Sequence, residues 1–125
     1  MDLGMKVLVV DDFATMRRIV KNILKEIGFK NIVEADDGLT ALEVLKKDKI
    51  DLVLADWNMP RMTGLDLLKA VRSDESLKKT PFVMVTAEAQ KSCVLEAVQA
   101  GVSNYVVKPF TANTVRQKLE QVFSK

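Results

Sequence analysis

The chain has 125 residues, 48% of them hydrophobic and 29% charged, with 19 Lys plus Arg against 17 Asp plus Glu for a net charge of +2. That length suits one core, and the composition argues against intrinsic disorder. A positive balance this slight and evenly spread argues against nucleic-acid binding, and the longest early apolar stretch, VLVV at 7–10, is too short for a signal-peptide core or a membrane span.

After a loose start over residues 1–4, the apolar run MKVLVV at 5–10 predicts a strand covered on both faces. Met16, Ile19, Val20, Ile23, Leu24 and Ile27 then recur at helical spacing, and Gly28 follows as a stop. NIVEA at 31–35 is a second strand, nearer an edge because Glu34 interrupts it, and Leu39, Leu42 and Leu45 mark a second helix. DLVLA at 51–55 is a third strand buried on both faces, followed by a helix through Leu65, Leu68 and Val71. PFVMVT at 81–86 is a fourth buried strand, and Val94, Ala97 and Val98 give a helix ending near Gly101. NYVVK at 104–108 is the fifth strand; Val115, Leu119, Val122 and Phe123 make the last helix, with Ser124 and Lys125 as a frayed end. Strict alternation of strand and helix predicts βαβ units, hence an α/β fold with a doubly wound, five-stranded parallel sheet. Right-handed crossovers favour the order 2-1-3-4-5, which is taken over from known doubly wound sheets rather than derived.

In such sheets ligands bind beyond the carboxyl ends of the strands, at the switch point between strands one and three. Reading only those ends gives Asp11 and Asp12, then Asp56, Thr86 and Lys108. Each alone has a bland reading as a cap, a turn or a solvated side chain. Together they place three carboxylates on one rim, which repel one another unless positive charge is supplied. One divalent cation and Lys108 balance them. The chain has no histidine and a single cysteine, Cys93, best read as a helix residue at a core boundary, so the cation should be Mg2+ on oxygen ligands. Asp12 and Asp56 are natural direct ligands; Asp11 is a third ligand or holds a metal-bound water, and a backbone carbonyl after Asp56 fills another position. A carboxylate beside Mg2+, an ammonium and a hydroxyl suits phosphoryl transfer, with Asp56 as nucleophile, Lys108 and Thr86 on the phosphoryl oxygens, and Ala87 keeping the approach open.

The stretches VLVVDDFATMRRIVKN, EADDG, DWNMPRMTGLDLL, MVTAEA and QAGVSNYVVKPFT resemble, in order and spacing over essentially the whole chain, the receiver domain of bacterial two-component response regulators. Trp57, Asn58, TAEA and YVVKPFT narrow the resemblance to that family's single-domain chemotaxis branch. It implies a flavodoxin-like (βα)5 fold, with Asp56 as phosphoacceptor and Asp11 and Asp12 as the acidic metal pair. Asn58 matches the residue whose backbone carbonyl ligates Mg2+, and Thr86 and Tyr105 match the switch pair whose motion remodels the face of helix four, strand five and helix five. Asn58 and Glu88 fall where receivers tune their self-dephosphorylation, and Lys108-Pro109 matches a peptide bond usually cis in that fold.

The implied function is a signalling switch, not an enzyme beyond assisting its own phosphorylation and dephosphorylation. The phosphoryl donor is a chemotaxis histidine kinase, and the output is the flagellar motor switch protein. A phosphatase is a further candidate partner. The protein is expected to be a cytoplasmic monomer, a single domain over residues 1–125 with no output domain. Lys91, Arg116 and Lys118 could make the output face basic, though scattered helix lysines are commonly just solvated.

Three rivals stand beside this. An aspartyl-phosphate phosphatase would have nucleophile and acid two residues apart after the first strand, where this chain has adjacent Asp11 and Asp12. A flavin carrier needs a small-residue phosphate loop there, and two aspartates would repel a phosphate. A stand-alone receiver in another two-component phosphorelay is the alternative that the residues leave open.

Overall fold

The computed structural model describes residues 1–124; Lys125, half of the expected frayed end, lies outside the described residues. Strands and helices alternate as β1 (Lys6–Val10), α1 (Ala14–Ile27), β2 (Asn31–Ala35), α2 (Gly38–Lys47), β3 (Leu52–Ala55), α3 (Gly64–Ser73), β4 (Phe82–Thr86), α4 (Lys91–Gln99), β5 (Asn104–Val107) and α5 (Ala112–Phe123). All strand pairs are parallel, and the sheet order is β2-β1-β3-β4-β5, as expected.

Four residues expected in strands fall just outside them: Met5, Asp51, Pro81 and Lys108. Pro81 has no N–H to give a ladder, and only its carbonyl is used, accepting from the Val53 N–H at 2.9 Å. Asp51 instead turns its carboxylate onto the Lys6 N–H at 2.9 Å.

Alternation along the strands divides the core into two layers. Val7, Val9, Leu52, Leu54, Val83 and Val85 point to the face covered by α1 and α5, where they meet Val20, Leu24, Val115 and Leu119. Leu8, Val10, Val53, Ala55, Phe82 and Met84 point to the other, against α2, α3 and α4. β1, β3 and β4 are buried nearly throughout, whereas only Ala35 of β2 is, as its edge position requires.

The helical stripes are narrower than the apolar spacing predicts. Ile19, Leu39 and Val98 are exposed, at 43%, 39% and 58%. Ile19 and Val98 each neighbour a fully packed residue, Val20 and Ala97, and successive residues lie about 100° apart around a helix. A helix lying on a flat sheet covers one line of contact, and the next residue round escapes it. No helix of the described residues is long and apolar enough to cross a membrane.

Candidate functional site

The register of the central strands builds the site. Val10 pairs with both Ala35 and Ala55, so β1, β2 and β3 end level. The ladder runs one step further, with Asp11 N–H donating to the Ala35 carbonyl at 3.2 Å and Asp56 N–H to the Val10 carbonyl at 3.0 Å. Asp11 and Asp56 therefore leave neighbouring strands side by side on fully hydrogen-bonded central backbone. Asp12 follows at the rim, and one oxygen from each of the three carboxylates lies within 4.8 Å of the others.

Carboxylates this deep need partners. Asp11 is 4% exposed; its Oδ1 accepts from the Phe13 N–H at 2.9 Å and its Oδ2 from Lys108 Nζ at 3.2 Å. Asp56 uses Oδ1 for the Trp57 N–H at 2.6 Å and Oδ2 for the same ammonium at 3.3 Å. Lys108 is thus shared between the two, its side chain only 15% exposed. Burial raises the Asp11 carboxyl above the usual range; the Phe13 N–H and Lys108 oppose this, and the charge of Asp56 adds to it.

Lys108 is anchored through its own N–H to the Thr86 carbonyl at 2.9 Å, and the Lys108–Pro109 peptide bond is cis. Thr86, the last residue of β4, is fully buried, and its Oγ1 accepts from the Glu88 N–H at 3.3 Å. Ala87, next in the chain, is exposed. Tyr105 is turned inward at 9% exposure, and its hydroxyl donates to the Glu88 carbonyl at 2.6 Å. The hydroxyl is therefore paired with the protein rather than left in water. Asn58 is exposed, and its Nδ2 donates to Glu88 Oε1 at 3.2 Å. Cys93, half-buried early in α4, lies 3.8 Å from Glu88 Oε2.

Three residues near the site escape a reading of strand ends. Arg17 Nη1 donates to the Asp11 carbonyl at 2.6 Å while its Nε holds Glu34 Oε1 at 3.1 Å, tying α1 to β2 behind the aspartates. Asp37 and Arg61 form an ion pair beside the loop that follows Asp56. An Asp directly before a helix is a readable N-cap signal, and Asp37 Oδ1 does accept from the Thr40 N–H at 2.9 Å. Nothing in the sequence marks Arg61 as its partner.

Chemically the cluster is three carboxylates against one ammonium, with oxygen the only donor type. That set fits a hard divalent cation such as Mg2+, and Asp11, Asp12 and Asp56 could hold it. It also leaves a carboxylate, Asp56, at the mouth of the site, 14% exposed and next to a fixed positive charge.

Residues 7–120 match the model of the response regulator receiver domain. The chain is 59% identical over 122 residues to the chemotaxis protein CheY-3 of Vibrio cholerae, covering 98% of this chain and 94% of that protein. It is 58% identical over 121 residues to the chemotaxis protein CheY of Pseudomonas aeruginosa, covering 97% and 98%. Among solved structures, that of Vibrio cholerae CheY4 superposes with a TM-score of 0.88 at 36% identity, covering 96% of this chain and 99% of that one. With the receiver model spanning nearly the whole chain and these relatives matching end to end, the chain belongs to the response regulator receiver domain family.

Proposed function

We propose that this chain is a phosphorylation-activated response regulator of bacterial chemotaxis. Asp56 accepts a phosphoryl group from a chemotaxis histidine kinase, and the phosphorylated form binds the flagellar motor switch protein, in the cytoplasm. The observation that carries the reading is the shared hold of Lys108 Nζ on Asp11 and Asp56 beside the third carboxylate, Asp12. The chemotaxis assignment is supported by the names of the relatives at 59% and 58% identity.

Asp56 attacks the phosphorus of a phosphohistidine; an O–P bond forms as the N–P bond breaks, and the departing imidazole keeps the electron pair and takes up a proton. Mg2+, held by Asp11, Asp12, Asp56 and the Asn58 backbone carbonyl, would neutralise charge on the phosphoryl oxygens. Lys108 takes a second oxygen, since its ammonium already bridges the carboxylates, and the Thr86 hydroxyl takes a third once it leaves the Glu88 N–H. Thr86 moving toward the phosphoryl group makes room beneath Tyr105 and favours its inward state. A switch from mostly off to mostly on needs roughly 5 kcal/mol of differential stabilisation, which a site this dense in charge can supply. Asn58 and Glu88, joined by their hydrogen bond, stand where they can govern how water lines up on the phosphoryl group.

The test is phosphorylation by a small acyl phosphate with Mg2+, followed by Trp57 fluorescence in wild type and Asp56→Asn. Mg2+ should change the emission of both, and the donor should change it further only when Asp56 is present. Equal donor responses would overturn the phosphoacceptor assignment. Binding of a motor-switch segment should tighten on phosphorylation; indifference would point to a receiver of another phosphorelay.

A further inference from the structure

Arg61 has φ at 66°, the one positive value outside glycine among the described residues. That left-handed region is disfavoured by any Cβ and is ordinarily visited by Gly, Asn or Asp. The long Arg61 side chain is nevertheless committed. Its Nε donates to Asp37 Oδ2 at 2.8 Å, and Nη2 meets the same oxygen. Asp37 is buried at 4% exposure, and its other oxygen caps α2. The Thr40 N–H, and after it the Arg61 guanidinium, hold the Asp37 carboxyl below the usual range against its burial.

The two backbones also touch here. A Cβ on Gly38 would lie 2.7 Å from the Met62 carbonyl oxygen, so Gly38 is what lets the loop after Asp56 rest on the start of α2. At its far end the same loop is closed by the Gly64 N–H on the Trp57 carbonyl at 2.8 Å. Asn58 lies between these two anchors, two residues from Asp56.

We propose that Arg61 and Asp37 are a positioning pair for the metal site: their ion pair fastens the loop after Asp56 to the amino end of α2 and presets the Asn58 carbonyl for Mg2+. The inference rests on the reading of Asp11, Asp12, Asp56 and that carbonyl as a Mg2+ site. Neither residue touches the metal. Each acts through the course of the loop, and the unfavourable backbone at Arg61 is tolerated because the pair holds it there.

The experiment is Mg2+ titration, read by Trp57 emission and by calorimetry, of wild type, Arg61→Gly, Arg61→Lys, Asp37→Asn and the double variant Arg61→Gly/Asp37→Asn. Arg61→Gly relieves the backbone and removes the pair, whereas Asp37→Asn keeps an amide oxygen for the α2 cap. Both should weaken Mg2+ binding by roughly 10-fold, the low end for outer partners of a metal site. The double variant should lose little more than either alone, and Arg61→Lys should recover part of the affinity. In the metal-free protein, amides of residues 57–63 should exchange faster in Arg61→Gly and Asp37→Asn. The phosphorylation rate with a small acyl phosphate should need more Mg2+ but reach the wild-type maximum, which a merely structural lesion would lower. Wild-type Mg2+ affinity in Arg61→Gly, or losses that simply add, would overturn the pairing. Absence of any Mg2+ response in the wild type would overturn the metal-site reading itself, and this inference with it.

Discussion

The Tyr105 hydroxyl and the Glu88 carbonyl, 2.6 Å apart, join the last strand of the sheet to the loop between β4 and α4. The Glu88 carboxylate in turn accepts from Asn58, two residues beyond Asp56. Two hydrogen bonds thus connect the edge strand to the loop of the candidate phosphoacceptor, and the tyrosine end offers a direct optical readout. Burial pushes the Tyr105 phenol up to about 12 from 10. The neutral form is the protonated one, so Tyr105 contributes stability that is fully present below about pH 10 and is lost as pH rises through about 12. As the chain's only tyrosine, it should give a tyrosinate absorbance midpoint near 12 in the native protein. In concentrated urea the midpoint should fall to about 10. A native midpoint at the urea value would mean that the ring spends its time in solvent.

Gly64 is required by close approach rather than by an unusual φ. A Cβ there would lie 2.1 Å from the Asp56 carbonyl oxygen, and that neighbour is backbone, which cannot swing away. Gly64→Ala should therefore destabilise by about 3 kcal/mol, the upper range for overpacking, and shift the Trp57 emission because the adjoining loop must move. Urea unfolding followed by far-UV dichroism and by fluorescence would check both effects. A loss below about 1 kcal/mol would show that the loop yields easily.

Short continuous apolar runs alternating with segments of period 3.6 made the elements readable, because the central strands of a doubly wound sheet are apolar throughout, whereas the strand order came from known sheets of this kind. The rim residues were readable for the same reason. Once Val10 and Ala55 are known to end level, Asp11 and Asp56 must be neighbours. What escaped was everything that depends on side-chain reach. Arg17 reaches the Asp11 carbonyl from six residues along the chain, and Arg61 reaches Asp37 across 24 residues from a backbone conformation that its residue type does not advertise. Tyr105 entered only through the family resemblance, because a strand aromatic carries no mark in sequence of where its hydroxyl will find a partner. Ile19 and Val98 misled because an apolar residue beside a buried stripe looks the same in sequence whether or not a neighbour covers it.

Asp12 should show opposite effects on stability with and without Mg2+. Lys108 bridges Asp11 and Asp56, while Asp12 has no ion pair among the described residues and adds only repulsion within the 4.8 Å cluster. In a chelator, Asp12→Asn should raise stability by about 0.5 kcal/mol, the scale of exposed charge interactions. With Mg2+ in excess the order should reverse, since binding stabilises the wild type by RT ln(1 + [L]/Kd) and the variant has lost a proposed ligand. Urea midpoints in chelator and in Mg2+ measure both halves. A variant less stable in both would mean that Asp12 supports the fold itself.

The face of α4, β5 and α5, the proposed output surface, offers the sharpest separation of receiving a phosphoryl group from acting on it. A groove of about 370 Å³ runs between α4, β5 and α5, lined by Val94, Val98, Val102, Tyr105, Val107 and Lys118. Val98 is 58% exposed, with Leu95 and Val107 also uncovered, an apolar surface rimmed by a lysine of the kind that marks a protein interaction site. None of Asp11, Asp12, Asp56, Thr86 and Lys108 lines it, so a substitution at Val98 replaces no residue of the acidic site. Val98→Asp should weaken binding of a motor-switch segment to the phosphorylated protein at least about 10-fold, or ~1.4 kcal/mol. Its rate of phosphorylation by a small acyl phosphate should be unchanged. Lys118→Ala should leave the apolar contact intact but reduce the salt dependence of association, because a rim charge acts chiefly on the encounter rate. Titrating a labelled segment at two ionic strengths distinguishes these effects. Undiminished binding by Val98→Asp would move the partner to another face of the molecule.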